Sequence, residues 1–194
     1  LKNNKHLKFA ERDMLLKPGA TANDTYYGNA WHLAKIGAPE AWDISEGANV
    51  TVAILDSGVD AAHPDLASKL VPGWNFFDNN SNTSDVYGHG TMVAGAAAAT
   101  SNNAAGVASV AGGASIMPIR VTDTAGMGYL SHMASGITWA ADRGAKVANL
   151  SFAGVGGFAT VQSAAQYMKN KGGVVVTAAG NYGTVETFAA SDTN

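Results

Sequence analysis

Three short strings in this chain carry side chains that could divide one reaction between them: Asp56-Ser57-Gly58, Gly88-His89-Gly90-Thr91 and Ala178-Ala179-Gly180-Asn181. A carboxylate such as Asp56 can orient an imidazole, fix its tautomer and stabilise the imidazolium that forms. His89 supplies an imidazole that could act as a general base. The Asn181 amide could donate to an oxygen that becomes charged only in a tetrahedral state, a contribution typically worth about 2.7–4 kcal/mol. Each residue also has a plainer reading: Asp56 as a turn cap, His89 as a structural histidine, Gly180-Asn181 as a turn. It is the combination that points to acyl transfer. The missing part is a positioned nucleophile, for which no obvious candidate occurs before Asn194.

Regular elements must bring these residues together. Val50 to Leu55 is uncharged and rich in β-branched residues, as a buried strand is. Ser115 to Val121, Val147 to Phe152 and Val174 to Ala178 read as further strands. Between them, Gly88 to Ala99 reads as an Ala-rich buried helix, and Ser131 to Arg143 as an amphipathic helix capped by Ser131 and closed by Gly144. Thr160 to Lys171 is a helix ending at Gly172-Gly173, and Ala38 to Trp42 a short helix with Pro in its first turn. The alternation predicts an α/β fold, with a mostly parallel sheet covered by helices on both faces. Ligands bind such sheets outside the carboxyl ends of the strands. Asp56, Ser151 and Asn181 each fall at such an end, and His89 opens a helix that can point there.

Composition narrows the classes. The chain has 194 residues, 46% hydrophobic and 14% charged, enough for one domain with a sizeable core. Net charge is −3 and the basic residues are scattered apart from Lys2, Lys5 and Lys8, which argues against a nucleic-acid partner. No apolar run approaches the roughly 20 residues that cross a bilayer. The absence of cysteine excludes disulfide and thiolate chemistry, as suits an exported bacterial enzyme. No secretory signal is visible, and a processed start would remove one.

Taken with Val52 to Asp60, His63-Pro64-Asp65-Leu66, Val93-Ala94-Gly95 and Asn149-Leu150-Ser151, these strings resemble the subtilisin-like serine proteases, closest to their thermitase-like branch. The likeness runs from about Asn23 to the end, and Asp before His is the subtilisin order. It implies a serine endopeptidase, with Asp56 and His89 in the triad and Asn181 in the oxyanion hole. It also implies a cleft in which an extended peptide pairs with Gly126-Met127-Gly128 and Ser151-Phe152-Ala153, while Ala178, Ala179 and Gly180 line the pocket beside the scissile bond. Phe152 and Met127 suggest an apolar preference. A strong calcium site is implied at Asp24, Asp65, Thr100, Asn103, Ala105 and Val107, since calcium takes six to eight oxygens from carboxylates, amides and carbonyls. A weaker site would use Asp78 and Asn80, with Asn75 nearby.

The chain departs from the family in several places. The Gly-Thr-Ser-Met-Ala segment that holds the family's serine is absent, so the serine is expected on a companion C-terminal fragment, and this chain alone is expected to be inactive. Met92 stands where a second His is usual and is expected to pack in its helix, and Ala153 replaces a Gly where a methyl group could narrow the cleft. Leu7 to Asp13 resembles the last strand of a subtilase propeptide, which divides the chain into a propeptide-like tail or an ordinary N-terminal extension at 1–22 and the N-terminal part of a catalytic domain at 23–194. A secreted enzyme follows from the resemblance. The alternatives are a non-catalytic, peptide-binding relative, a truncated fragment, or a metallohydrolase built on His63, Asp65 and His89.

Overall fold

The computed structural model describes residues 21–181 and 183. The expectations for the tail at 1–22, apart from its last two residues, and for 186–194 lie outside them. Five strands form the sheet: β1 (Thr51–Asp56), β2 (Trp74–Asn75), β3 (Ser115–Arg120), β4 (Val147–Ala153) and β5 (Val174–Ala178). Their order is β2-β3-β1-β4-β5, and every pairing is parallel. All carboxyl ends therefore share one edge. The helices are α1 (Trp31–Lys35), α2 (Ala38–Trp42), α3 (His89–Ala98), α4 (Leu130–Asp142) and α5 (Ala159–Asn170).

β1 sits at the centre and shows why both faces need cover. Val52 and Ile54 point into one apolar cluster with Ala94 and Ala98 of α3. Ala53 and Leu55 point the other way, to Met133, Ile137 and Ala140 of α4 and Val161, Ala164 and Met168 of α5. This strict alternation is the period of a strand buried on both sides. α4 comes so close that a Cβ at Gly136 would lie 2.9 Å from both Ile119 and Leu55 side chains.

Two readings of the helices need correction. Ser131 does not cap α4: the helix starts at Leu130, and Tyr129 at its N-cap makes no side-chain cap bond. Nor is α3 buried all round. Only Gly90, Ala94 and Ala98 are buried, one stripe four residues apart. Met92 lies on the open side and is 68% exposed rather than packed. That side borders a cavity of about 440 Å³ shared with Tyr26, His32 and His63.

Candidate active site

The carboxyl edge of the sheet gathers the predicted residues. Asp56 closes β1 and is 3% exposed. His89 opens α3, and its Nδ1 lies 2.9 Å from both Asp56 carboxylate oxygens. The imidazole side chain is 42% exposed, against 4% for the carboxylate, so one end of the ring is buried and paired while the other meets solvent. Glycines allow this approach. A Cβ at Gly90 would stand 2.1 Å from the Gly58 carbonyl oxygen, so only glycine lets the first turn of α3 sit against the end of β1. Gly88 turns the chain into the helix at φ +93°.

One residue of this site was missed by sequence reasoning. Asp85 lies in the polar, Asn/Ser-rich stretch 78–85, which carries no helical or strand period. Its Oδ1 accepts hydrogen bonds from Ser57 Oγ at 2.8 Å, Tyr87 N at 3.0 Å and Gly88 N at 2.7 Å. Its Oδ2 accepts from Thr91 N at 2.9 Å and from the Thr91 hydroxyl. Burial pushes the Asp85 carboxyl upward, but the donors at Thr91, Gly88, Tyr87 and Ser57 outweigh it and bring the pKa from 3.8 down to about 2. A pKa held low in the folded state gives stability that is complete above the unfolded value and lost as protons bind. The stability gap between the wild type and Asp85→Ala is therefore expected to shrink as pH falls from about 4 to about 2. Urea unfolding across that range measures it; a gap independent of pH contradicts it.

The serines beside the pair are both engaged. Ser57 is 1% exposed and its hydroxyl donates a hydrogen bond to Asp85. Ser151 Oγ accepts from Asn149 Nδ2 at 3.0 Å.

The predicted cleft segments fall on the same edge. Gly126 and Met127 lie in a turn closed by Asp123, whose Oδ1 accepts the Met127 N–H at 2.9 Å, and Gly128 bridges to Thr122. Met127 is 70% exposed, whereas Phe152 is half-buried against the core, so of the two only Met127 stands free. Ala153 pairs with Ala178 after an irregularity in the β4–β5 register, and its side is open. Ala179, Gly180 and Asn181 continue beyond β5, with Gly180 at φ +91° and Asn181 exposed.

The residues expected to hold calcium lie around one loop. Asp24 and Asp65 are 5% and 2% exposed, and neither forms an ion pair among the described residues. Asp24 accepts from Asn102 N at 2.9 Å. Asp65 accepts from Asn103 Nδ2 at 2.9 Å and Val107 N at 3.0 Å, while its carbonyl accepts from Thr100 N. Ala105 N donates to Asn103 Oδ1. A Cβ at Gly106 would overlap Asp65 Oδ2. Two buried carboxylates with no counter-cation among the described residues, accepting only from backbone and Asn103 N–H groups, have the charge and donor type that a hard divalent ion takes.

The weaker site fares differently. Asp78 Oδ2 already pairs with Arg120 at 2.8 Å and accepts from Asn75 Nδ2, so a guanidinium supplies the positive charge there. The metallohydrolase reading also fails on geometry. His63 Nδ1 faces its own backbone at Asp65 N, and among the described residues no three His, Asp or Glu side chains converge as metal ligands.

Comparison with known proteins gives the family. The Subtilase family pattern matches residues 47–193. Thermitase from Thermoactinomyces vulgaris is 51% identical over 164 residues, covering 84% of this chain and 59% of thermitase. The thermophilic serine proteinase of Bacillus sp. (strain AK1) is 43% identical over 190 residues, covering 97% and 47%. The chain spans about half the length of the curated relatives it matches. Among solved structures, a protease from Pseudoalteromonas arctica PAMC 21717 superposes with a TM-score of 0.74 at 31% identity, over 84% of this chain and 60% of that one. A cold-adapted subtilisin-like serine proteinase gives 0.62 at 34%, over 71% and 48%. With the family pattern running through both members of the carboxylate–imidazole pair, the chain belongs to the subtilase family.

Proposed function

We infer that this chain supplies the aspartate–histidine half of a serine endopeptidase. The observation that carries the reading is the 2.9 Å contact of His89 Nδ1 with both oxygens of a buried Asp56. A carboxylate placed there keeps the ring proton on Nδ1 and leaves Nε2 free to take one. A serine hydroxyl beside Nε2 loses its proton to the ring as its oxygen attacks the peptide carbonyl carbon. The carbonyl oxygen takes the negative charge and receives a hydrogen bond from the Asn181 amide. His89 returns the proton to the departing amine, which leaves an acyl-enzyme. Water, deprotonated by the same ring, then hydrolyses the ester.

The attacking serine is proposed to lie on a companion C-terminal segment outside residues 1–194. The buried Ser57, whose hydroxyl is committed to Asp85, and the length of the relatives support this. Gly126, Met127, Gly128, Ser151, Phe152 and Ala153 would pair with the substrate backbone, with Ala178, Ala179 and Gly180 at the residue next to the cut. Calcium held at Asp24, Asp65 and Asn103 would tie the N-terminal segment to the core. Secretion, and retention of 1–22 as a propeptide tail, complete the proposal. Among the described residues no helix is long and apolar enough to cross a membrane.

A fluorophosphonate probe on the intact protein tests the reading. Covalent labelling is expected on the serine-bearing companion segment, abolished by His89→Ala, with no label on Ser57 or Ser151. An unlabelled protein that still binds peptides would instead be a non-catalytic relative.

A further inference from the structure

The N-terminus of α3 raises a problem that its own sequence does not solve. A helix leaves its first amide N–H groups without partners, and a Ser, Thr, Asp or Asn at the N-cap usually satisfies one. Here the N-cap is Gly88, which has no side chain to offer. The donors are satisfied from elsewhere. Gly88 N and Thr91 N both bind Asp85, on different oxygens, and Gly90 N binds Ser57 Oγ at 3.0 Å.

Ser57 links the two halves of the candidate site. Its amide donates to Asp56 Oδ1 at 2.8 Å, and its hydroxyl donates to Asp85. With the hydroxyl proton committed to Asp85, an oxygen lone pair is left for Gly90 N–H. The chain on either side of Asp85 is laced to the same strand end, through Val59 N to Thr83 O at 2.9 Å and Val86 N to Ser57 O at 3.2 Å. A half-buried carboxylate with five donors thus touches both the residue after Asp56 and the residues around His89. A negative charge at a helix N-terminus is also favoured by the helix dipole.

We propose that Asp85 is a positioning residue of the protease, holding His89 and Asp56 in mutual register through Ser57 and the first turn of α3. The inference rests on the endopeptidase reading. Asparagine does not replace the carboxylate. Either orientation of the amide would turn its NH₂ toward at least one backbone N–H, because each Asp85 oxygen already accepts from one. The first turn of α3 must then move, and His89 moves with it.

The test compares the wild type with Asp85→Asn in the intact protein, at a temperature where both are folded. Two readouts are used: kcat and KM on a peptide substrate, and the Nδ1–H proton resonance of ¹⁵N-labelled His89. A displaced catalytic ring costs about 100-fold in rate. The expected result is a kcat lower by about that factor with KM little changed, together with an altered Nδ1–H resonance. A purely structural cap would lower the melting temperature and leave kcat and the resonance as in the wild type, and that result overturns the proposal. Should Asp85→Asn not fold, Ser57→Ala cuts the same bridge while sparing the other four donors to Asp85. It is expected to show the same loss in kcat, and a wild-type kcat and resonance there also overturn the proposal. A wild type that hydrolyses nothing, but whose resonance responds to Asp85→Asn, removes the endopeptidase reading and leaves the positioning intact.

Discussion

His89→Ala in the intact protein is expected to lower kcat by about 10⁶-fold while peptide binding survives, the size of loss that removing the histidine causes in subtilisin itself. The ring has one paired end and one open end, and only the open nitrogen can carry a proton between nucleophile and leaving group. Alanine leaves the cleft segments on the strand ends untouched, so KM should change little. Asp56→Asn should cost about 10⁴-fold, for a different reason. An asparagine NH₂ facing Nδ1 would make that nitrogen the acceptor, put the ring proton on Nε2 and leave no base toward the serine. Residues that act as a unit are not additive, so the double variant should be no worse than His89→Ala alone. Steady-state and single-turnover kinetics measure all three. A His89→Ala variant within tenfold of the wild type would remove the pair from the mechanism.

Much of this site was legible because its parts obey strong local rules. Val52 to Leu55 had to be a buried strand: four apolar residues in a row leave no face for water, and the structure covers both faces. Parallel strands then fix the edge at which Asp56 emerges, with no side-chain detail needed. Rules of this kind failed where tertiary contact decides. The Ala-rich composition of α3 said that the helix could pack closely, but not that only the stripe through Gly90, Ala94 and Ala98 would do so. Ser131 looked like a cap because serine prefers that place, yet the helix gained one more residue at Leu130. The two-residue strand Trp74–Asn75 is too short to carry any period. Asp85 was the costliest omission. In sequence it is one more polar residue of an Asn/Ser-rich loop. Its signal was indirect: a glycine at the N-cap position requires that some other side chain satisfy the helix amides.

Removing calcium is expected to lower the melting temperature by about 10 °C, with the fold rather than the chemistry as the target. An ion that binds only the native state stabilises it by about 4 kcal/mol when present at a thousand times its dissociation constant. In a domain of this size each 1 kcal/mol moves the midpoint by about 2–4 °C. The physical source is visible in Asp24 and Asp65, two buried carboxylates for which no described Lys or Arg supplies a countercharge. Without a cation the lost hydration of two buried carboxylates opposes folding, and the N–H donors from Asn102, Asn103 and Val107 offset only part of it. Asp65→Asn should therefore abolish the response to calcium rather than merely lower the midpoint. Its midpoint with calcium should approach that of the chelated wild type. Scanning calorimetry with excess calcium, and again after chelation, decides the matter without any substrate. A wild-type midpoint that chelation leaves unmoved would mean that the amides of the 100–107 loop are sufficient partners, and the calcium assignment would fall.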